Sequence, residues 1–207
     1  AKAQYGGGTG EPNDPYLIHT AEHMNAIGAE PNDWDKHFKL TADIDLGNYT
    51  GASFNIIGYH EDWRYDRPFS GVFDGNDRTI SNFSYTSEGR GYVGLFGHVA
   101  GANAAIRDLR LANPDVTAGM ERYAGSIVGL LGSGAITDCS VEGGSVSGAA
   151  RDTGGLAGSS LGIIDNCHVR NTTVSGDSDT GGLVGSNGGR VTNCHSQTDV
   201  SGKSYIG

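Results

Sequence analysis

The stretch Gly154-Gly155-Leu156-Ala157-Gly158, followed by Ile164-Asp165-Asn166-Cys167 and Val174-Ser175-Gly176, recurs further on. It returns as Gly181-Gly182-Leu183-Val184-Gly185, Val191-Thr192-Asn193-Cys194 and Val200-Ser201-Gly202. Upstream, Gly125-Ser126-Ile127-Val128-Gly129, Ile136-Thr137-Asp138-Cys139 and Val146-Ser147-Gly148 form a third copy. Val93-Gly94-Leu95-Phe96-Gly97 with Ile106-Arg107-Asp108-Leu109 forms a fourth, reading Val93 for the leading glycine and Leu109 for the cysteine. The period shortens from 32 to 29 to 27 residues. Self-similarity at a fixed, short period is the mark of a repeat architecture.

Each repeat holds three short apolar patches set apart by Gly, Ser, Asn or Asp. Patches this short read as strands joined by tight turns, three per repeat. One such coil cannot bury its own apolar face, whereas stacked coils can, with parallel strands about 4.8 Å apart. The expected fold is all-β: a β-solenoid of the right-handed parallel β-helix type, the hand following the general crossover preference. Glycine fits this reading, because 23 of the 35 glycines fall within 91–202, where corners need positive φ or close backbone approach. The hydrophobic share is 36%, low for a globular core but sufficient for a thin, long one.

The G-G-L-V-G block followed by x-N-C resembles the GLUG repeat, over roughly 91–205. That family occurs in bacterial surface proteins, including non-catalytic regions of some IgA-specific metallopeptidases. The resemblance implies an extracellular solenoid and no catalytic residue. No HExxH zinc motif occurs in the chain, so peptidase activity is not carried over.

Before residue 91 the pattern is less regular. Gly71-Val72-Phe73-Asp74-Gly75 and Ile80-Ser81-Asn82-Phe83 mimic the two blocks in a shorter coil. Phe38 to Leu46 alternates as one strand, with Leu40, Ala42, Ile44 and Leu46 on one side. Thr20 to Gly28 reads as a short capping helix, with Thr20 as N-cap and Gly28 just past its end. The polar, aromatic segment Tyr59–Pro68 reads as a protruding loop. The chain thus divides into a flexible Gly-rich tail (1–10), an N-terminal cap with irregular first coils (11–90) and repeat coils (91–207). Lys203-Ser204-Tyr205-Ile206-Gly207 looks like the opening of another coil, so further coils or head-to-tail self-association, which would build a filament, are expected at that end.

The formal charge is −10, with four lysines, which argues against nucleic-acid binding by phosphate neutralisation. No apolar run of 18 residues exists to span a membrane. Ala1-Lys2-Ala3 resembles the residues around a signal-peptide cleavage point, so secretion to the cell surface is expected. Three cysteines make a poor disulfide framework.

Several residue groups could carry chemistry. Leu109, Cys139, Cys167 and Cys194 share one repeat position, which reads as a buried ladder of small apolar groups. Asp108, Asp138, Asn166 and Asn193 form a second ladder, bonding the backbone at corners and one another between coils. His168 and His195 are expected to stack on the outer face in line with Ser140 and Arg110. Asp43 with Asp45, and Asp74 with Asp77, are candidate Ca²⁺ ligands. Trp34, Tyr59, Trp63 and Tyr65 are candidate glycan contacts. Asn48, Asn82 and Asn171 head glycosylation sequons. The leading functional reading is a non-catalytic structural or adhesive module that meets a glycan, a surface protein or its own copies. No cofactor is expected, unless Ca²⁺. The alternative is an enzyme acting on polysaccharide along an outer face, with paired carboxylates as its acids and bases.

Overall fold

The computed structural model describes residues 4–60, 66–87, 89, 91–119, 122–148 and 151–207. Its strands stack into a parallel β-solenoid of about four turns, with one short helix near the N-terminus. A seven-stranded sheet runs the length of the molecule. Its strands, in order, are Tyr16–Ile18, His37–Leu40, Val72–Asp74, Ala105–Arg107, Ala135–Thr137, Ile163–Asp165 and Arg190–Thr192. A nine-stranded sheet lies around the next corner, and two four-stranded sheets complete the repeat coils. Phe96 pairs with Val128, Val128 with Ala157 and Ala157 with Val184, which reproduces the 32, 29 and 27-residue periods.

The first two repeat coils hold five short strands each and the last two four, where the sequence suggested three. The first repeat coil contains Tyr92–Val93, Phe96–Val99, Ala105–Arg107, Arg110–Ala112 and Asp115–Ala118. Two of the breaks are made by left-handed residues, Asp108 at φ 53 and Asn113 at φ 51, a conformation that Asn and Asp tolerate better than other L-residues. A third break is the Gly-Leu turn, at which the chain passes from the first four-stranded sheet to the second, and the fourth is the turn at 100–104 that leads into the seven-stranded sheet. The last glycine of each block is required by close approach. A Cβ at Gly158 would stand 2.5 Å from the Ala124 nitrogen. Val93 pairs with Ala124, not with Gly125, and Phe96 with Val128, so Gly94 takes the leading-glycine position and the first coil is one residue shorter between the two.

The core is continuous from Ile18 to Val169, with a concentration of Phe38, Phe69, Phe73, Phe83 and Phe96 toward the N-terminal coils. The segment Phe38–Leu46 keeps its alternation but is two strands, His37–Leu40 and Ile44–Asp45. Between them the chain turns the corner from the seven-stranded to the nine-stranded sheet, held where Thr41 N–H donates to the Ile18 carbonyl and Thr79 N–H donates to Asp43 Oδ1.

Helix α1 spans Ala21–Ala29, and the Thr20 hydroxyl accepts the His23 N–H as its N-cap. Met24 and Ile27 are buried in the core. Gly28 lies inside the helix and not past its end. A Cβ there would meet the Asn55 carbonyl oxygen at 1.8 Å, so glycine permits the helix to lie on that strand-free segment.

The N-terminal tail is not loose from Gln4 onward. Gly6 N–H donates to the Leu17 carbonyl and Leu17 N–H to the Gly7 carbonyl, at 2.8 and 2.9 Å. Tyr5 is buried, and its hydroxyl donates to Asp33 Oδ2 at 3.0 Å. The segment therefore covers the free edge of Tyr16–Ile18, the outermost strand of the seven-stranded sheet, which would otherwise offer unpaired backbone groups. Of the protruding loop, the ends form a two-stranded antiparallel ribbon, Tyr59–His60 with Asp66–Arg67.

Candidate functional site

The corner between the seven-stranded and nine-stranded sheets carries both predicted ladders. Leu109, Cys139 and Cys167 are fully buried, and Cys194, in the last coil, is half-buried. Each thiol, with its single proton, lies within reach of two carbonyls. Cys139 reaches Thr137 O at 3.1 Å and Ile106 O, one coil away, at 3.7 Å. Cys167 repeats this with Asp165 O and Ile136 O, and Cys194 with Thr192 O and Ile164 O. Burial pushes the Cys139 thiol up. Side by side in successive coils, these groups pack as small apolar residues that satisfy themselves on the backbone.

Asp108, Asp138, Asn166 and Asn193 precede them at φ 53, 55, 51 and 55. Their side chains bond between coils. Asn166 Nδ2 donates to Asp138 Oδ1 at 2.7 Å, whereas Asn193 Nδ2 donates to Asp165 Oδ1, not to Asn166, at 2.9 Å. Burial first, and then the charges of Asp74 and Asp138, raise the Asp108 carboxyl above the usual carboxylate range. A second left-handed series, Asn82, Asn113 and Asn171, marks the next corner. Two of those asparagines head sequons. Their amides are engaged between coils, with Asp45 and Glu142 respectively.

The four proposed Ca²⁺ ligands do not converge. Asp43 Oδ1 accepts from Thr79 N–H, and Asp45 Oδ1 from Gly47 N–H and Asn82 Nδ2. The Asn82 hydrogen bond, more than that of Gly47, holds Asp45 below its ordinary range. Asp74 accepts from Asn76 N–H and pairs with Arg107 at 2.9 Å, and Asp77 pairs with Arg110 at 2.9 Å. Among the described residues, no three His, Cys, Asp or Glu side chains gather to hold a metal.

Of the four candidate glycan contacts, Trp34 is 3% exposed and donates its indole N–H to the Ile27 carbonyl at 2.7 Å. A buried indole offers no platform to a sugar, so this assignment is withdrawn. Tyr59 packs edge-on against it with ring centroids 5.5 Å apart. Trp63 and Tyr65 lie outside the described residues.

The imidazoles of His168 and His195 stack at 4.3 Å, in register with Ser140 and Arg110. Arg170 donates to His195 Nε2 at 2.8 Å. Desolvation, His168 and Arg170 together hold His195 below the ordinary imidazole range.

One cluster escaped the sequence reading. Tyr92, Tyr123, Asp152 and Asp179 are successive register neighbours in the first four-stranded sheet. Beside them, His98 stacks on Tyr92 with centroids 6.0 Å apart and pairs with Asp66 at 2.8 Å. The side chain of Asp152 is only 9% exposed. Burial, then the neighbouring Asp179 carboxylate, raises it to about 6. Asp152 therefore holds its proton up to about pH 6, well above an ordinary carboxyl, while a second carboxylate sits one coil away. Such a pair can share a proton and offers an acid to a ligand. Its signal was present: Asp152-Thr153-Gly154 and Asp179-Thr180-Gly181 recur immediately before the Gly-Leu turns.

With the geometry established, comparison places the chain. The GLUG motif matches residues 176–201, which make up most of the fourth coil. The chain is 34% identical over 168 residues to the "Putative Gly-rich membrane protein" of Evansella cellulosilytica, covering 80% of this chain and 15% of that protein. It is 36% identical over 110 residues to Halomucin of Haloquadratum walsbyi, covering 53% of this chain and 1% of that protein. The chain thus spans a small part of the relatives' own length. A crystal structure from Bacteroides ovatus, described as a "putative immunoglobulin A1 protease", shares the fold with a TM-score of 0.64 at 20% identity, over 98% of this chain and 78% of that one. Repeat spacing, stacked ladders, motif and structural likeness agree: the chain is a GLUG-repeat parallel β-solenoid.

Proposed function

We propose that this solenoid is a non-catalytic module of a cell surface or extracellular matrix, presenting its outer faces to a glycan or a surface protein. The observation that carries this reading is the engagement of its polar ladders. The carboxylates and amides at the corners bond between coils, which leaves them building the scaffold and not converging on a substrate. The names of two relatives, one a membrane protein and one a mucin, support an extracellular setting. Among the described residues no helix is long and apolar enough to cross a membrane, so a surface position would rest on other segments or on binding. Antibody labelling of intact cells that express the natural protein tests this. Surface labelling is expected, and labelling only after lysis refutes the reading.

The enzymatic reading has one observation in its favour, the buried Asp152 carboxyl, raised to about 6, one coil from Asp179. Two carboxyls adjacent in register would share a proton, whereas glycosidases hold theirs about 5–9.5 Å apart to admit a nucleophilic attack or a water. Turnover of a panel of acidic and neutral polysaccharides, lost in Asp152→Asn, would favour catalysis over display.

A further inference from the structure

The outer side of the seven-stranded sheet bears a groove of about 680 Å³ that none of the ladders uses. In the first two coils its floor is small: Ala105, then Gly134 and Ala135. In the third coil Leu161 and Ile163 line it, 61% and 43% exposed, and it runs on to Gly189 and Arg190 in the fourth. These are two of the four large hydrophobic residues exposed among the described residues. Register places Val72, Ala105, Ala135, Ile163 and Arg190 as successive neighbours along the solenoid axis. The relief along that line is therefore a hollow at Ala105 and Ala135 followed by a knob at Ile163. Ala105 and the knob lie two coils apart, about 10 Å.

We propose that this face binds the same face of a second copy. The two solenoids lie side by side and antiparallel, about a twofold axis at Ala135. Such an axis maps the second coil onto itself and exchanges the first with the third. It seats each Leu161–Ile163 knob over the partner's Ala105. It also brings the aliphatic stem of Arg190 over the partner's Val72, where an arginine can cover apolar surface and keep its head in water. Self-complementarity about a twofold is the requirement of a closed, isologous contact. Small residues alone would not fix the register; the step from Ala105 and Ala135 to the projecting Ile163 does. A strip of five coils is about 20 Å long. It falls well short of the roughly 800 Å² a side of a standard interface, so pairing should be weak, with a dissociation constant on the order of 0.1 mM. This inference stands apart from the surface role proposed above.

Sedimentation velocity with small-angle scattering of the whole chain, from about 10 µM to 1 mM, tests it. A concentration-dependent shift to a side-by-side dimer is expected. Leu161→Asp and Ile163→Asp should abolish it, with circular dichroism and melting unchanged because both side chains are exposed. In a Cys194→Ser background, Ala135→Cys should cross-link to itself under air. Ala105→Cys should cross-link only with Ile163→Cys. A monomer at 1 mM would overturn the proposal. So would a dimer indifferent to both Asp substitutions, or one lost in Ile206→Asp, which would place the contact at the end of the solenoid.

Discussion

Replacing Asp152 with Asn should make the protein more stable at pH 8 and leave it nearly unchanged at pH 4. Asp152 is raised from 3.8 to about 6, chiefly by burial and then by Asp179. A carboxyl whose folded value lies above its unfolded value supports the fold while protonated. That support is complete below about pH 4 and is lost as pH rises through 6. A shift of about two units corresponds to about 3 kcal/mol at 1.36 kcal/mol per unit. Arg151, at 3.9 Å with its own side chain 74% exposed, offsets little of this. Asn keeps the shape and can still donate to Asp179 but carries no charge to desolvate. We expect a gain of about 1–3 kcal/mol at pH 8, or several degrees of melting temperature for a chain of this size. The measurement is the difference in melting temperature between variant and wild type from pH 4 to 8, so that titrations common to both cancel. The difference should open between about pH 4 and 6 and stay level above that. Asp179→Asn relieves the same repulsion and serves as the second variant. A flat difference across that range, for both variants, would refute the reasoning.

Three further outcomes follow from the packing. Leu156, wholly buried in the third coil, should cost about 2–5 kcal/mol when changed to Ala, and Leu183, half-buried in the fourth, clearly less, as measured by chemical denaturation. Among the thiols, Cys194 should react with an aromatic disulfide reagent in the native state, while Cys139 and Cys167 wait for unfolding; rapid labelling of all three would contradict the buried ladder. Asn193, at φ 55, should tolerate Gly better than Ala, since an L-residue without a local polar partner pays roughly 1–2 kcal/mol in the left-handed region, and paired melting curves will show whether it does.

Much of the solenoid was legible because its repeats are tied to register. The stacking of coils, the shared slot of Leu109 and the three cysteines, the left-handed Asx corners and the imidazole stack all follow from aligning one repeat upon the next. What periodicity could not supply was contact between segments far apart in sequence. The tail reads as flexible by composition, yet Gly6 and Gly7 are strand partners of Leu17, a pairing that no local pattern announces. Gly28 reads as a helix stop, yet it serves the passage of Asn55. The acids of the first coils read as possible cation ligands because they occur in pairs; Arg107 and Arg110, one coil on, are the partners that spacing within a coil does not reveal. Asp152 was passed over because the repeat was read from its glycines, and the preceding Asp-Thr lay just outside the frame.

The same alignment shows that the interior changes character along the axis. At one inward position of the first four-stranded sheet the side chain runs Val93, Ala124, Thr153, Thr180. In the second it runs Val99, Leu131, Ser160, Asn187, and in the nine-stranded sheet Leu111, Val141, Val169, Ser196. Three independent ladders thus pass from apolar to polar in the same direction, as the coils shorten. The large aromatic side chains are gathered at the opposite end. In a stack where each coil contacts only its neighbours, stability is a sum of local terms. The N-terminal coils, aromatic, capped by α1 and covered at their edge by residues 5–10, therefore form the anchor. The later coils hold together more by backbone ladders and inter-coil hydrogen bonds than by buried apolar area. Such coils open at lower free energy than the anchor, and the Asp152–Asp179 pair sits at the junction of the third and fourth. Because burial and Asp179 raise Asp152, that junction loses support as pH rises toward 6, while the aromatic anchor carries no buried carboxyl among its described residues.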